Sequence, residues 1–233
     1  FLNIPAVAAA VETQMADEGV VPIENSLEGS VNATLDLLIH ESRLVIRREL
    51  VLPIEHHLLV RPGTEPSDVK VIFSHPQALG QCRRFIDRCF PRAQAVASLS
   101  TAAAVEEMMS HEAPAAAIGT RRAAAIYGAV ILASGVQDQA SNVTRFVVLA
   151  GTQDGPTGWD KTSLCFSVRE NRPGALCEIL EEFAARRINL AKIESRPSKE
   201  SLGRYIFLVD LEGHQRDPLI VEALEIVRAK SDL

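Results

Sequence analysis

Short polar clusters interrupt an otherwise apolar chain, and they hold the side chains most able to do chemistry. Glu24-Asn25-Ser26 closes one apolar run. Ser74-His75-Pro76-Gln77 closes another, with Gln81 one helical turn further on. Ser100-Thr101 precedes an Ala-rich stretch, and Thr144-Arg145-Phe146 opens a further apolar run. Thr144, Asn25, Ser74 and Gln81 offer neutral hydrogen-bond donors and acceptors. Such groups suit the positioning of a small polar substrate and general-acid help to a leaving group. Arg145 brings positive charge for a carboxylate or for structure, and both readings stand. His75 reads equally as an acid–base group and as the residue that sets the start of the following helix. Ser100 and Thr101 sit where free N–H groups favour an anion, with a plain N-cap as the competing reading. Glu24-Asn25-Ser26 alone reads as a turn, because Asn and Ser bond their own backbone.

Composition narrows the classes. A chain of 233 residues with 47% hydrophobic and 23% charged residues is globular and holds one large domain or two ordinary ones. The net charge of −6 argues against nucleic acid as a partner. It leaves open a small anionic substrate, which needs only local positive charge. Cys82, Cys89, Cys165 and Cys177 form no CxxC pair and have no histidines at zinc spacing; they read as reduced thiols of a cytoplasmic protein, with no metal. His56-His57 lacks metal-ligand companions and reads as structural. No stretch approaches the roughly 20 apolar residues that span a membrane.

The elements that must position these residues follow a strand–helix rhythm. A helix within Phe1–Ala16 leads to a strand over Val20–Ile23, a helix over Val31–Ile39, and strands over Leu44–Leu52 and His56–Arg61, separated at Pro53. Then come a strand at Val69–Phe73, one helix over Pro76–Cys89, a strand at Ala95–Ala97 and a helix from Ser100-Thr101 to Met109. A strand at Ala115–Ile118, a helix to Tyr127 and strands at Val130–Ala133 and Arg145–Leu149 complete a largely parallel α/β arrangement. Gly151–Asp160 is rich in Gly, Asp and Thr and reads as a linker. Beyond it, a strand at Thr162–Val168, a helix at Pro173–Arg187, strands at Leu190–Ser195 and Tyr205–Leu211 and a helix from Asp217-Pro218 to about Lys230 give β-α-β-β-α. That is a ferredoxin-like unit short of its final strand.

Read together, the motifs resemble one family. Val21-Pro22-Ile23-Glu24-Asn25-Ser26-Leu27-Glu28-Gly29 resembles the VPIENSxxG signature of prephenate dehydratases, and Ser74–Cys82 resembles their SHPQALxQC segment. Ser100–Ala104 is similar to an STAxA helix start, and Asn142–Phe146 to an N-x-TRF motif. Asn171–Leu176 and Glu194-Ser195-Arg196-Pro197 resemble the GAL and ESRP motifs of phenylalanine-sensing ACT domains. The resemblance covers nearly the whole chain. It implies an α/β fold: a two-lobed, periplasmic-binding-protein-like catalytic domain over 1–152, a linker over 153–160, and a ferredoxin-like βαββαβ ACT regulatory domain over 161–233. The family usually begins with a strand and a GPxGTxS-like turn that this chain lacks. Its first lobe therefore reads as missing an N-terminal part, and an upstream mutase or dehydrogenase domain stays open.

The implied activity is the decarboxylating dehydration of prephenate to phenylpyruvate in phenylalanine biosynthesis, with no cofactor and with feedback by L-phenylalanine. In the family the TRF threonine is the candidate proton donor, which is Thr144 here, with Asn25, Ser74 and Gln81 as catalytic companions. Glu24, Ser26, His75, Gln77, Ser100, Thr101, Arg145 and Phe146 are the implied substrate-side positions. Asn25 is the better site residue than Glu24, whose carboxylate would repel a dianion. Asn171, Gly174, Ala175, Leu176, Glu194 and Ser195 are the implied effector positions, at the interface of paired ACT domains, so a homodimer or homotetramer is expected. Arogenate dehydratase is the near alternative, and a non-catalytic amino-acid-binding regulator is the alternative of another class.

Overall fold

Asn3 opens the first helix, α1 (Ile4–Glu12), by accepting the Ala6 amide on its side-chain oxygen at 2.9 Å. The chain continues through β1 (Gly19–Asn25), β2 (Gly29–Ser30) and α2 (Asn32–Asp36), which loosens into a π-turn over Leu37–Glu41. β3 (Val45–Pro53) and β4 (His57–Val60) follow, then β5 (Val71–Ser74), α3 (Pro76–Gln81), α4 (Arg83–Cys89), β6 (Gln94–Ala97), α5 (Thr101–Ser110), β7 (Ala115–Gly119), α6 (Arg121–Tyr127), β8 (Val130–Ala133) and β9 (Val143–Ala150). The last segment holds β10 (Lys161–Val168), α7 (Ala175–Ala185), β11 (Leu190–Pro197), β12 (Tyr205–Glu212), α8 (Pro218–Lys230) and β13 (Ser231–Asp232). This computed structural model describes every residue except Leu2, Glu200, Leu202 and Leu233.

The described residues form two compact units drawn from separate stretches of chain: 1–21, 33–48 and 147–233 in one, 22–32 and 49–146 in the other. The second unit is built on a five-stranded sheet in the order β6-β5-β7-β4-β8. β5 pairs in parallel with β6 and β7, while β4 is antiparallel to both β7 and β8. The four strands linked by helices therefore share one direction, as helical crossovers require. β4 alone runs against them, because it arrives directly from β3 instead of through a helix. The all-buried β7, Ala-Ala-Ala-Ile-Gly, serves both faces of the sheet. Ala116 and Ile118 pack with Leu58, Ile72, Ala78, Cys82 and Ile86, whereas Ala115 and Ala117 pack with Leu59, Phe73, Ala104, Val105 and Met108. Small residues let α5 press close: a Cβ on Gly119 would stand 2.9 Å from Val105 Cγ2.

The single helix expected over Pro76–Cys89 is two. Asp138 divides them: its backbone N–H takes the Gln81 carbonyl at 2.7 Å, and its carboxylate caps α4 by accepting the Arg84 N–H at 3.0 Å. Cys82, left at φ −116°, ψ 15°, ends one helix and starts the next. Its thiol is fully buried, and burial, with the Asp138 charge beside it, pushes the thiol pKa up to about 12. Cys89 and Cys177 are exposed. A thiolate is the nucleophile, so a thiol reagent at neutral pH should modify Cys89 and Cys177 in the folded protein and reach Cys82 only after denaturation. Mass-spectrometric peptide mapping reads this directly; early labelling of Cys82 would contradict its burial.

The first unit contains the sheet β11-β12-β10-β13. α7 and α8 lay Ile179, Phe183, Ile220, Ala223 and Val227 onto Phe166, Val209 and Leu211. β13 corrects the expectation that the final strand is absent: Asp232 pairs with Ser167 and Ser231 with Val168. Two residues are too few to show a strand periodicity. A further sheet, β2-β1-β9-β3, has long strands that carry the chain from one unit to the other. Among the described residues no helix is long and apolar enough to cross a membrane, and no cluster of three or more His, Cys, Asp or Glu could hold a metal ion.

Candidate functional site

The polar clusters converge at the carboxyl edge of the five-stranded sheet. Ser74, the last residue of β5, stands in register with Ala97, the last of β6, and Gly119, the last of β7, with His57, the first of β4. The starts of α3, α5 and α6 and the residue preceding β4 all lie at that edge, where ligands of α/β sheets commonly sit.

At the end of β1, Asn25 is buried to 8% exposure. Its Oδ1 accepts the backbone N–H groups of Leu27 (2.9 Å) and Glu28 (3.2 Å). Backbone N–H groups only donate, so this fixes the amide's orientation and turns Nδ2 toward the other side. There Nδ2 donates to Asn142 Oδ1 at 2.8 Å and to Thr144 Oγ1 at 2.9 Å. Asn142 in turn donates from Nδ2 to Gln81 Oε1 at 3.1 Å. Gln81 donates from Nε2 to Glu28 Oε1 at 2.9 Å, and Gln77 donates to the other Glu28 oxygen. Ser26 ties the turn down: its hydroxyl donates to the Ser141 carbonyl and accepts the Val143 N–H, both at 3.0 Å. Asn25, Ser26, Gln77, Gln81 and Thr144 thus meet in one network. Asn142 and Glu28 complete it. So does His56, for which the sequence carried no signal beyond a missing metal partner.

The other expected positions have distinct surroundings. Ser74 is fully buried and donates its hydroxyl to the Ile118 carbonyl at 2.7 Å, stitching β5 to β7. His75 caps α3 through Nδ1, which accepts the Gln77 N–H at 3.3 Å. This geometry serves the helix-start reading. Ser100 Oγ accepts the Ala103 N–H at 3.0 Å as the N-cap of α5, and Thr101 is its first helical residue. Arg145, 14% exposed, lies between Glu49 (2.8 Å) and Glu24 (3.5 Å), so two protein carboxylates already meet its charge. Phe146 is the next residue of β9 and is half-buried. Of this outer set, Glu24 and Arg145 are joined to each other. The Ser74 hydroxyl serves the pairing of β5 with β7, while Ser100 and His75 serve helix starts.

In the other unit, Gly174 holds φ 85° as the N-cap of α7, a conformation that favours glycine. Ala175 and Leu176 are the first helical residues, and Asn171 Nδ2 donates to the Gly203 carbonyl at 3.4 Å. Glu194 and the exposed Ser195 lie on β11, the edge strand, with β12 between it and β10. Glu194 pairs with Lys192 (3.4 Å) and Arg196 (3.5 Å). Arg196 also reaches Asp36 of α2 at 2.7 Å, and Lys199 reaches the other oxygen of Asp36 at 2.7 Å. These contacts hold the Asp36 carboxyl below the usual carboxylate range.

Comparison with known proteins places this geometry in context. The prephenate dehydratase family model matches residues 1–154, and the ACT domain model matches residues 163–229. The chain is 44% identical over 229 residues to the bifunctional chorismate mutase/prephenate dehydratase of Aquifex aeolicus, covering 98% of this chain and 62% of that protein. It spans between 56% and 62% of the length of four such bifunctional relatives. The crystal structure of prephenate dehydratase from Arthrobacter aurescens, in complex with L-Phe, superposes with a TM-score of 0.89 at 40% identity, covering 99% of this chain and 76% of the other. GqqA, described as a novel type of quorum quenching acylase, superposes with a TM-score of 0.86 at 30% identity, covering 99% of this chain and 84% of the other.

Proposed function

From a chain that belongs to the prephenate dehydratase family and carries an ACT domain, we propose the conversion of prephenate to phenylpyruvate, regulated by L-phenylalanine. The catalytic part comprises 1–152 and the regulatory part 161–233, joined by 153–160. In the reaction the bond from the ring to its carboxylate breaks, and its electron pair enters the ring as carbon dioxide leaves. The ring C–O bond breaks at the opposite carbon, and the departing oxygen takes one proton to leave as water.

One observation carries the assignment of that proton to Thr144. Its Oγ accepts an N–H from Asn25, whose amide cannot flip because Oδ1 holds two backbone N–H groups. The hydroxyl hydrogen of Thr144 is therefore left to point elsewhere, and the accepted N–H polarises the O–H bond toward release. Asn25, Asn142 and Gln81 serve as positioning groups behind it. Ser74 supports the edge through β7, and a substrate carboxylate meets Arg145 only in competition with Glu24 and Glu49.

An acylase activity, as in the description of GqqA, would need an activated nucleophile. Two nucleophile types near the site are otherwise engaged: Ser74 is hydrogen-bonded to a backbone carbonyl, and the Cys82 thiol is held protonated. The deciding experiment follows phenylpyruvate formation from prephenate, with and without L-phenylalanine, beside arogenate as the competing substrate. Turnover of prephenate suppressed by phenylalanine supports the reading. Turnover of arogenate alone moves the substrate. A phenylalanine-induced rise in Tm with neither substrate consumed moves the protein to a non-catalytic regulator.

The effector reading rests on Asn171, Gly174, Ala175, Leu176, Glu194 and Ser195. The free N–H groups at the start of α7 suit an amino acid's carboxylate, and Glu194 meets its ammonium only in competition with Lys192 and Arg196. Since β12 separates β11 from β10, a paired copy gives the two segments a natural meeting place, and we expect a homodimer or homotetramer in the cytoplasm. Feedback works only if phenylalanine binds the less active state more tightly. Ser195→Ala, or a replacement of Gly174, should weaken inhibition by about tenfold or more while basal turnover is retained. Inhibition curves at fixed prephenate check this; lost turnover with unchanged inhibition would refute the division of labour.

A further inference from the structure

We propose that His56 is a positioning residue for the reaction, acting through Gln81 on the amides that orient Thr144. The inference rests on the prephenate reading of the same site. His56 is 5% exposed, and its Nε2 lies 2.8 Å from Gln81 Oε1. The direction of that bond follows from the rest of the network. Gln81 Nε2 donates to the Glu28 carboxylate, which only accepts, so the Gln81 atom facing the imidazole is its oxygen. An amide oxygen cannot donate; Nε2 of His56 therefore carries the hydrogen. Nδ1 is buried and has no hydrogen-bond partner among the described residues. A hydrogen there would be a buried donor with no acceptor, which is costly, so the geometry places the ring hydrogen on Nε2.

The consequence reaches Thr144 through fixed amides. Gln81 Oε1 takes two donors, His56 Nε2 and Asn142 Nδ2, which fill its two lone pairs. With Gln81 so held, Asn142 must present Oδ1 to Asn25, whose own amide, oriented by the Leu27 and Glu28 N–H groups, gives its second Nδ2 hydrogen to Thr144. His56 is itself anchored from both sides of its backbone: its N–H donates to Gln137 Oε1 at 3.0 Å, and its carbonyl accepts the Val136 N–H at 2.9 Å. The ring thus stands on a rigid strand start, at the far end of a chain of hydrogen bonds ending on the proposed acid. Removing its donor leaves Gln81 Oε1 with Asn142 alone; Glu28 still sets which way the Gln81 amide faces, but its oxygen can shift, and the spacing from Asn142 through Asn25 to Thr144 loosens.

The test compares His56→Leu, which removes the donor, with His56→Gln, whose amide N–H can stand where Nε2 stood. His56→Leu should lower kcat for prephenate about 10- to 100-fold with KM changed little, the scale expected when catalytic geometry loosens by an ångström. His56→Gln should recover most of that loss, while thermal denaturation shows both variants folded. Near-normal kcat in His56→Leu, or a folded His56→Gln as slow as His56→Leu, overturns the proposal. Nitrogen-15 NMR of the wild-type imidazole gives a readout that needs neither activity nor a variant: hydrogen on Nε2 with a bare Nδ1 supports it, and hydrogen on Nδ1 overturns it. If wild type fails to consume prephenate yet shows the Nε2 tautomer, the substrate reading has failed and the network has not.

Discussion

Thr144→Val should reduce kcat for prephenate by about 10²–10⁴-fold, the usual contribution of a positioned proton donor, and change KM far less. Valine keeps the shape of threonine and the β-branched preference of β9, so the strand should survive. What disappears is the one hydroxyl that accepts from Asn25 and still has a hydrogen to give. The free Asn25 N–H left behind belongs to a half-buried contact, so the change in Tm should be a few degrees at most. Thr144→Ser restores the hydroxyl without the methyl and should recover most of the rate. Steady-state kinetics of both variants decide the matter: near-normal turnover in Thr144→Val would take the acid role away from this residue.

The elements around this site are largely legible in the sequence, because strands of Ala, Val and Ile alternating with capped Ala-rich helices leave few other arrangements. The β4 reversal is not, since a four-residue apolar run carries no direction. The break at Cys82 is also hidden: it depends on Asp138, far along the chain, reaching back to Gln81 and Arg84. The site divides the same way. Asn25, Gln81 and Thr144 stand in recognisable motifs. Asn142 stands two residues before Thr144 in one of them, a spacing that puts both on one side of an extended chain, but only the pairing of β1 with β9 shows that this side faces Asn25. Glu28 looks like an ordinary turn carboxylate. His56 lacks the companions of a metal ligand, and its actual partner becomes visible only when β4 is set at the same sheet edge as α3. Ser74 shows the opposite failure: a polar residue in a motif whose hydroxyl holds the fold together from inside.

Asn25→Asp should lose about 10²-fold or more in turnover at neutral pH, the scale of a misdirected proton donor, and recover part of it as the pH falls. The replacement is nearly isosteric, and one oxygen can go on accepting from Leu27 and Glu28 as Oδ1 does now. The second oxygen, however, takes the place of an NH₂ that donates to Asn142 Oδ1 at 2.8 Å and Thr144 Oγ1 at 2.9 Å. Thr144 would then donate its hydrogen to the new carboxylate instead of to the substrate. Asn142 cannot relieve the other contact by flipping, because its oxygen would then face Gln81 Oε1, held in place by Glu28. Facing acceptors and a dianionic substrate, the new carboxyl has its pKa raised. Protonation gives it one hydrogen to donate, so the variant's rate should rise as pH falls through that raised value, a trend the parent does not share. Asn25→Ala serves as the control: it removes the same donor without adding a titrating group and should be slow at every pH. A pH profile of kcat for the three proteins separates the outcomes. If Asn25→Asp is as fast as the parent at neutral pH, or loses rate with the same pH dependence as Asn25→Ala, the direction of the Asn25–Thr144 hydrogen bond is not what governs the chemistry.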